Sequence, residues 1–206
     1  MSVSVSLIRA YYVLGCDALT EISNGSLNVA PGIYGNWSLG AVGEFSCITG
    51  FVLSHNMSLQ CTENGRWNDT SPICEKRKCQ PLSHPINGSI EPLNVTHTYL
   101  DEVRYNCAVG FNLIGPENRT CLSSGEWSEP EPHCQLVDCG NITAPVNGNV
   151  TGGEETTFGI EAFIHCSEGH RLNGSNVLKC NTDGTWSSQP PTCNAISIII
   201  ICVVLS

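Results

Sequence analysis

The sequence predicts an all-β protein made of small, disulfide-rich, β-sandwich-like modules, three of them in tandem. Three observations predict it. First, twelve of the thirteen cysteines follow one ruler, repeated three times: Cys16, Cys47, Cys61, Cys74, then Cys79, Cys107, Cys121, Cys134, then Cys139, Cys166, Cys180, Cys193. The second and third cysteines of each set are 14 positions apart and the third and fourth 13, while the first gap is 31, 28 and 27. Second, each set carries a tryptophan six positions after its third cysteine (Trp67, Trp127, Trp186) and an Asn-Gly pair beginning eight positions after its first (Asn24-Gly25, Asn87-Gly88, Asn147-Gly148). Third, apolar residues alternate over short stretches, and helical periodicity is absent before the last residues. Self-similarity at a fixed period sets the architecture ahead of any other reading.

The elements follow in chain order. Residues 1–15 carry interrupted apolar character (Val3, Val5, Leu7, Ile8) with Arg9 in the middle and no small-residue cleavage site, so they read as a truncated or poor secretory signal. Module 1 spans 16–74, module 2 spans 79–134 and module 3 spans 139–193. In each, Asn-Gly marks a hairpin, because both central residues of a type I′ turn need positive φ. Val42-Gly43-Glu44-Phe45 and Val103-Arg104-Tyr105, just before the second cysteines, alternate as half-buried strands do. The tryptophans read as core, one per module, covering the disulfides. Trp37 occurs once, inside Asn36-Trp37-Ser38 of the longest first gap, and is expected near the surface. Four-residue linkers, Glu75 to Lys78 and Gln135 to Asp138, join the modules. Residues 195–206 are almost wholly apolar; twelve residues make about 18 Å of helix against about 30 Å of bilayer core, so this tail reads as at most part of a membrane segment. Cys202, the unpaired cysteine, lies in it.

A module of about 60 residues buries too little apolar surface to be stable on its core alone. Four cysteines per module therefore read as a disulfide framework formed in an oxidising compartment, with three pairings open to each set. Zinc is the rival, since Cys74 to Cys79 and Cys134 to Cys139 approach a ligand-pair spacing, but both pairs straddle module boundaries. Asn-x-Ser/Thr occurs at Asn24, Asn36, Asn56, Asn68, Asn87, Asn94, Asn118, Asn141, Asn149 and Asn173, where chance gives roughly three. That excess points to a secreted or cell-surface glycoprotein. The net charge of −10, spread as about −4, −5 and −3 over the modules, excludes nucleic acid as a partner, because phosphate binding needs a basic stripe.

Catalytic chemistry has no carrier here. His55, His84, His97, His133, His165 and His170 form no set with a nucleophile and an orienting acid, and no phosphate-cradling glycine loop is present. His165 and His170 flank Cys166, which the disulfide framework claims. The chain is read as a non-enzyme without cofactor or metal.

An aromatic before the second cysteine, Gly50-Phe51 and Gly110-Phe111 after it, then Cys-x5-Trp-x4-Pro-x-Cys closing on Cys74, Cys134 and Cys193, resemble the sushi module, also called the complement control protein module. The resemblance covers Cys16 to Cys193. It implies pairing of first with third and second with fourth cysteine: Cys16–Cys61, Cys47–Cys74, Cys79–Cys121, Cys107–Cys134, Cys139–Cys180 and Cys166–Cys193. It also implies an elongated array in which the linkers set the angles between modules. Module 3 departs from the pattern, with His170 after Gly169 and Ile164 where Phe45 and Tyr105 stand. Phe45 to Cys74 and Tyr105 to Cys134 resemble the sushi repeats of selectins.

Two binding functions follow from the resemblance: recognition and control of activated complement components, or an adhesion or receptor ectodomain that meets a cell-surface glycoprotein. A spacer in a larger mosaic protein is a third reading. Contact residues are expected at the linkers, because glycans shield much of the rest. Lys76, Arg77 and Lys78, the one basic run, are the candidates for an acidic partner, a sulfated glycan included. Membrane association, if any, falls to the tail.

Overall fold

The computed structural model describes residues 15–93 and 95–197. Most of the N-terminal segment, the sequon at Asn94, Cys202 and the apolar tail beyond Ser197 lie outside the described residues. Every regular element among the described residues is a strand, in short antiparallel sheets. The first cysteine set holds β1 (Gly25–Ala30), β2 (Val42–Cys47), β3 (Phe51–Leu53), β4 (Ser58–Gln60) and β5 (Cys74–Lys76). The second holds β6 (Gly88–Glu91), β7 (Glu102–Cys107), β8 (Phe111–Ile114), β9 (Asn118–Thr120) and β10 (His133–Leu136). The third holds β11 (Gly148–Thr151), β12 (Glu161–Cys166), β13 (His170–Asn173), β14 (Val177–Lys179) and β15 (Thr192–Ala195).

The chain falls into two compact units. One comprises the described residues of Met1–Leu82, Asn94–Glu102 and Arg119–Ser128; the other comprises Ser83–Leu93, Val103–Asn118 and the described residues of Glu129–Ser206. In the first unit β1 pairs with β2, from Gly25 opposite Cys47 to Ala30 opposite Val42, and β2 pairs with β4. A separate ribbon joins β3 to β5. In the second unit β6 pairs with β7 and β8 with β10, while β11, β12 and β14 form a sheet beside the ribbon of β13 and β15.

The alternation in the sequence becomes the core. Gly43 and Phe45 on β2, Val103 and Tyr105 on β7, and Ala162 and Ile164 on β12 point inward, and their neighbours outward. Ile164 is as buried as Phe45 and Tyr105, so the departure of the third set from an aromatic is absorbed by a smaller apolar side chain in the same place. The Asn-Gly pairs do not form the expected type I′ hairpins: only Asn24, Asn87 and Asn147 have positive φ (58°, 59° and 59°), while Gly25, Gly88 and Gly148 are the extended first residues of β1, β6 and β11, opposite Cys47, Cys107 and Cys166. No side chain fits on the glycine that follows: a Cβ on Gly25, Gly88 or Gly148 would sit 2.7–2.8 Å from the Sγ of Cys74, Cys134 or Cys193. The disulfides join Cys16–Cys61, Cys47–Cys74, Cys79–Cys121, Cys107–Cys134, Cys139–Cys180 and Cys166–Cys193, with Cα atoms 5.5–5.8 Å apart.

The tryptophans differ from simple core residues. Trp67, Trp127 and Trp186 are half-buried, and each indole N–H donates to the carbonyl of the residue after the first cysteine: Asp17 (2.8 Å), Gln80 (2.9 Å) and Gly140 (3.0 Å). Each ring thus ties the start of its repeat to the end, the apolar face inside and the polar edge bonded. Trp37 is drawn inward too: it is half-buried and edge-on to Trp67, with centroids 6.2 Å apart. The Trp37 carbonyl accepts from the Cys16 N–H (2.7 Å), which holds the loop against the disulfide.

Candidate functional site

The linkers are built joints. Lys76 and Glu75 pair with Phe51 and Val52 as the last residues of the β3–β5 ribbon. One residue further, the Arg77 N–H donates to the Gly50 carbonyl (2.8 Å), and the Arg77 carbonyl accepts from the Tyr99 N–H (2.8 Å). The Tyr99 ring lies against Gly50, where a Cβ would come within 2.1 Å of its Cδ1, and edge-on to Phe51 at 6.4 Å. Cys79 continues the line by donating to the His97 carbonyl (3.0 Å).

The second linker repeats the plan with other side chains. The Val137 N–H donates to the Gly110 carbonyl (2.9 Å), and the Phe158 N–H donates to the Val137 carbonyl (2.9 Å). Phe158 covers Gly110 as Tyr99 covers Gly50. Both glycines have φ 86°, a backbone region open to glycine at little cost, and both leave room for a ring that any side chain would displace.

Charge at the first joint is less concentrated than the run Lys76-Arg77-Lys78 suggests. In extended backbone successive side chains alternate. Lys76 and Lys78 are exposed, whereas Arg77 is half-buried with its stem beside Gly125 and its Nε buried without a hydrogen-bond partner. In the second joint the same place is held by Val137, 1% exposed. Each joint also carries an acid. Two hydrogen bonds from Thr98, its N–H (2.8 Å) first and its hydroxyl (3.0 Å) second, hold the Asp101 carboxyl below the usual carboxylate range, with smaller help from Lys76 and His97. Asp138 is lowered likewise by the Thr156 hydroxyl and then the Gly140 N–H.

The remaining site residues fall as follows. Asn24, Asn36, Asn56, Asn68, Asn87, Asn118, Asn141, Asn149 and Asn173 are all exposed. His165 is exposed, and the half-buried His170 packs its Nδ1 at 3.2 Å from the Glu168 carbonyl. Among the described residues no three His, Cys, Asp or Glu side chains gather as a metal site, and no helix is long and apolar enough to cross a membrane. One residue escaped the sequence reading. Arg119 stands two positions before Cys121, where the other sets have Leu59 and Leu178, and is only 8% exposed. Its Nε donates to the Ser128 carbonyl (3.0 Å) and its guanidinium lies 5.9 Å from the Trp127 centroid. The equivalence was legible in the ruler, but composition gives no sign that an arginine enters a core.

Comparison with known proteins agrees with this geometry. The Sushi repeat (SCR repeat) family matches at residues 16–74, 79–134 and 139–193. Human E-selectin is 35% identical over 184 residues, covering 87% of this chain and 30% of the selectin. Mouse P-selectin is 35% identical over 190 residues, 89% of this chain and 24% of its own. The rat sushi, von Willebrand factor type A, EGF and pentraxin domain-containing protein 1 is 36% identical over 178 residues, 86% of this chain and 5% of its own. The chain spans less than a third of the length of each of these relatives.

Proposed function

This chain belongs to the Sushi repeat family, and from that premise we propose that it is an extracellular binding-module array of the adhesion or receptor type, meeting a protein or glycan at the surface of a cell. The observation that carries this is the pair of built joints, which use the same backbone bonds but offer different side chains. A backbone frame repeated in this way leaves the side chains it exposes free to vary, as binding arrays require. Similarity to E-selectin and P-selectin over most of the chain supports the adhesion reading.

In this reading the modules run over residues 16–74, 79–134 and 139–193, the exposed sequons carry glycans, and the sugar-poor linkers supply the contacts. Lys76 and Lys78 provide the charge for an acidic partner, and Arg77 holds the joint. A second reading, recognition of activated complement components, has the exposed basic linker in its favour, since charge complementarity steers acidic partners. One experiment separates them. The glycosylated chain, made in a secretory host, is titrated against cell-surface glycoproteins and activated complement components at low and moderate salt. Saturable binding to a cell-surface glycoprotein supports the first reading; binding only to complement components replaces it with the second. If Lys76→Ala with Lys78→Ala leaves binding unchanged at low salt, the linker is not the contact surface.

A further inference from the structure

We propose that Asn64, in the loop between Cys61 and Trp67, is a site of spontaneous deamidation that turns the Asn64-Gly65-Arg66 tip into a carboxylate and a guanidinium separated by one glycine. The chemistry needs only water. The Gly65 backbone nitrogen attacks the Asn64 Cγ; the new C–N bond closes a succinimide ring as the Cγ–Nδ2 bond breaks, and ammonia leaves with the proton from the Gly65 nitrogen. Water then opens the ring at either carbonyl, giving aspartate or isoaspartate. Glycine after asparagine favours ring closure, because no side chain obstructs the attacking nitrogen.

Five Asn-Gly pairs occur, at Asn24, Asn64, Asn87, Asn147 and Asn173. The fold separates them. Asn24, Asn87 and Asn147 sit in one repeated turn, locked on both sides. Their carbonyls accept from the N–H of Ile48, Ala108 and Ser167 (2.8–2.9 Å), and the N–H of the following glycine donates to Ile22, Pro85 or Pro145 (3.0–3.2 Å). Each of those glycines is also wedged against a disulfide sulfur. Asn173 is fixed in β13 opposite Thr192. Ring closure at these four sites has to break sheet or core contacts.

Asn64 is exposed at the tip of a hairpin loop that the Thr62 N–H closes on the Arg66 carbonyl (2.9 Å). Freeing its nucleophile breaks one local bond, Gly65 N–H to the Thr62 carbonyl (3.0 Å). Local opening of this kind costs far less than opening of the core. The Thr62 hydroxyl, hydrogen-bonded to the Asn64 side-chain oxygen, also stands where it can stabilise the oxyanion formed as the nitrogen adds. Asn64 and Asn147 are outside any sequon, so their amides stay free whatever glycans the chain carries. The third repeat shows that the aspartate product fits: Asp183-Gly184 occupies the same turn, and the Asp183 carboxylate accepts from the Thr185 N–H (3.0 Å) and hydroxyl (2.7 Å). Isoaspartate instead lengthens the backbone and disrupts the loop closure.

The test is to age the whole glycosylated chain at body temperature and mildly alkaline pH and to follow Asn64 and Asn147 by peptide mass spectrometry. A reduced, unfolded sample is run in parallel, and Asn64→Asp serves as the reference for one product. Conversion at Asn64 about tenfold or more faster than at Asn147 in the folded chain, with similar rates at both once unfolded, is the expected result. Equal rates in the folded chain, or conversion of Asn64 only after unfolding, overturns the proposal.

Discussion

Replacing Gly110 by alanine tests the joint directly, because the chain contains its own control. Gly50, Gly110 and Gly169 each follow the second cysteine of their repeat by three positions, with φ of 86°, 86° and 80°. Alanine pays a left-handed backbone cost of about 1–2 kcal/mol at any of them. At Gly50 and Gly110 the new Cβ would also lie 2.1 Å and 2.0 Å from the Cδ1 of Tyr99 and Phe158, so the ring has to leave. Displacing a half-buried aromatic ring forfeits a further ~1–2 kcal/mol of burial. At Gly169 nothing lies within 4 Å of the added atom. Gly50→Ala and Gly110→Ala are therefore expected to cost roughly 3 kcal/mol, or about 10–20 °C in the melting of the affected modules, and Gly169→Ala about half as much. Calorimetry measures the loss, and limited trypsin digestion adds a local readout. The first linker offers cleavage after Lys76, Arg77 and Lys78, so Gly50→Ala should speed its cutting, whereas the second linker lacks Lys and Arg. Equal losses at all three glycines, with unchanged trypsin sensitivity, would refute the claim that the rings lock the joints.

Three further outcomes are expected. Removing the Cys16–Cys61 bridge by a double alanine substitution releases a loop of sequence separation 45 and costs about 4 kcal/mol, comparable with the whole stability of one small module; compact structure surviving full reduction, seen by circular dichroism, would contradict this. Arg119→Ala is expected to cost about 3 kcal/mol by leaving the place beside Trp127 unfilled, while Arg119→Leu, the residue type of the other two repeats, stays within about 1 kcal/mol in urea melts. The lowered Asp101 and Asp138 carboxyls mean that the unfolded chain takes up protons first as pH falls; their stabilisation is full above the ordinary carboxylate range and fades below about pH 4, so Asp101→Asn should flatten the acid limb of a melting-temperature profile.

The regular parts of this molecule were legible because local chemistry repeats with the sequence. Alternation at Val103-Arg104-Tyr105 and Val42 to Phe45 set the inward faces of β7 and β2, since neighbouring side chains on a strand leave on opposite sides. The Asn-Gly pairs were legible as turns but not as type I′ hairpins, because only the asparagine takes positive φ and the glycine enters β1, β6 or β11 in extended backbone beside a disulfide. An even set of cysteines in a module too small to bury a large core fixed the compartment and the class.

Contacts between residues far apart in the chain are another matter, because no periodicity encodes them. Lys76, Arg77 and Lys78 read as one basic run, yet pairing with Phe51 and docking on Gly50 and Tyr99 turn Arg77 inward and leave two lysines outside. Trp37, a singleton in the loop between β1 and β2, is drawn to Trp67, because burying two large rings together outweighs exposing either. Arg119 enters a core place because the Ser128 carbonyl and the Trp127 ring receive its charge there. Strand, turn and disulfide class follow from residue type and spacing, which act over a few positions; joints, buried charge and ring pairs follow from which distant surfaces meet, and that is a property of packing.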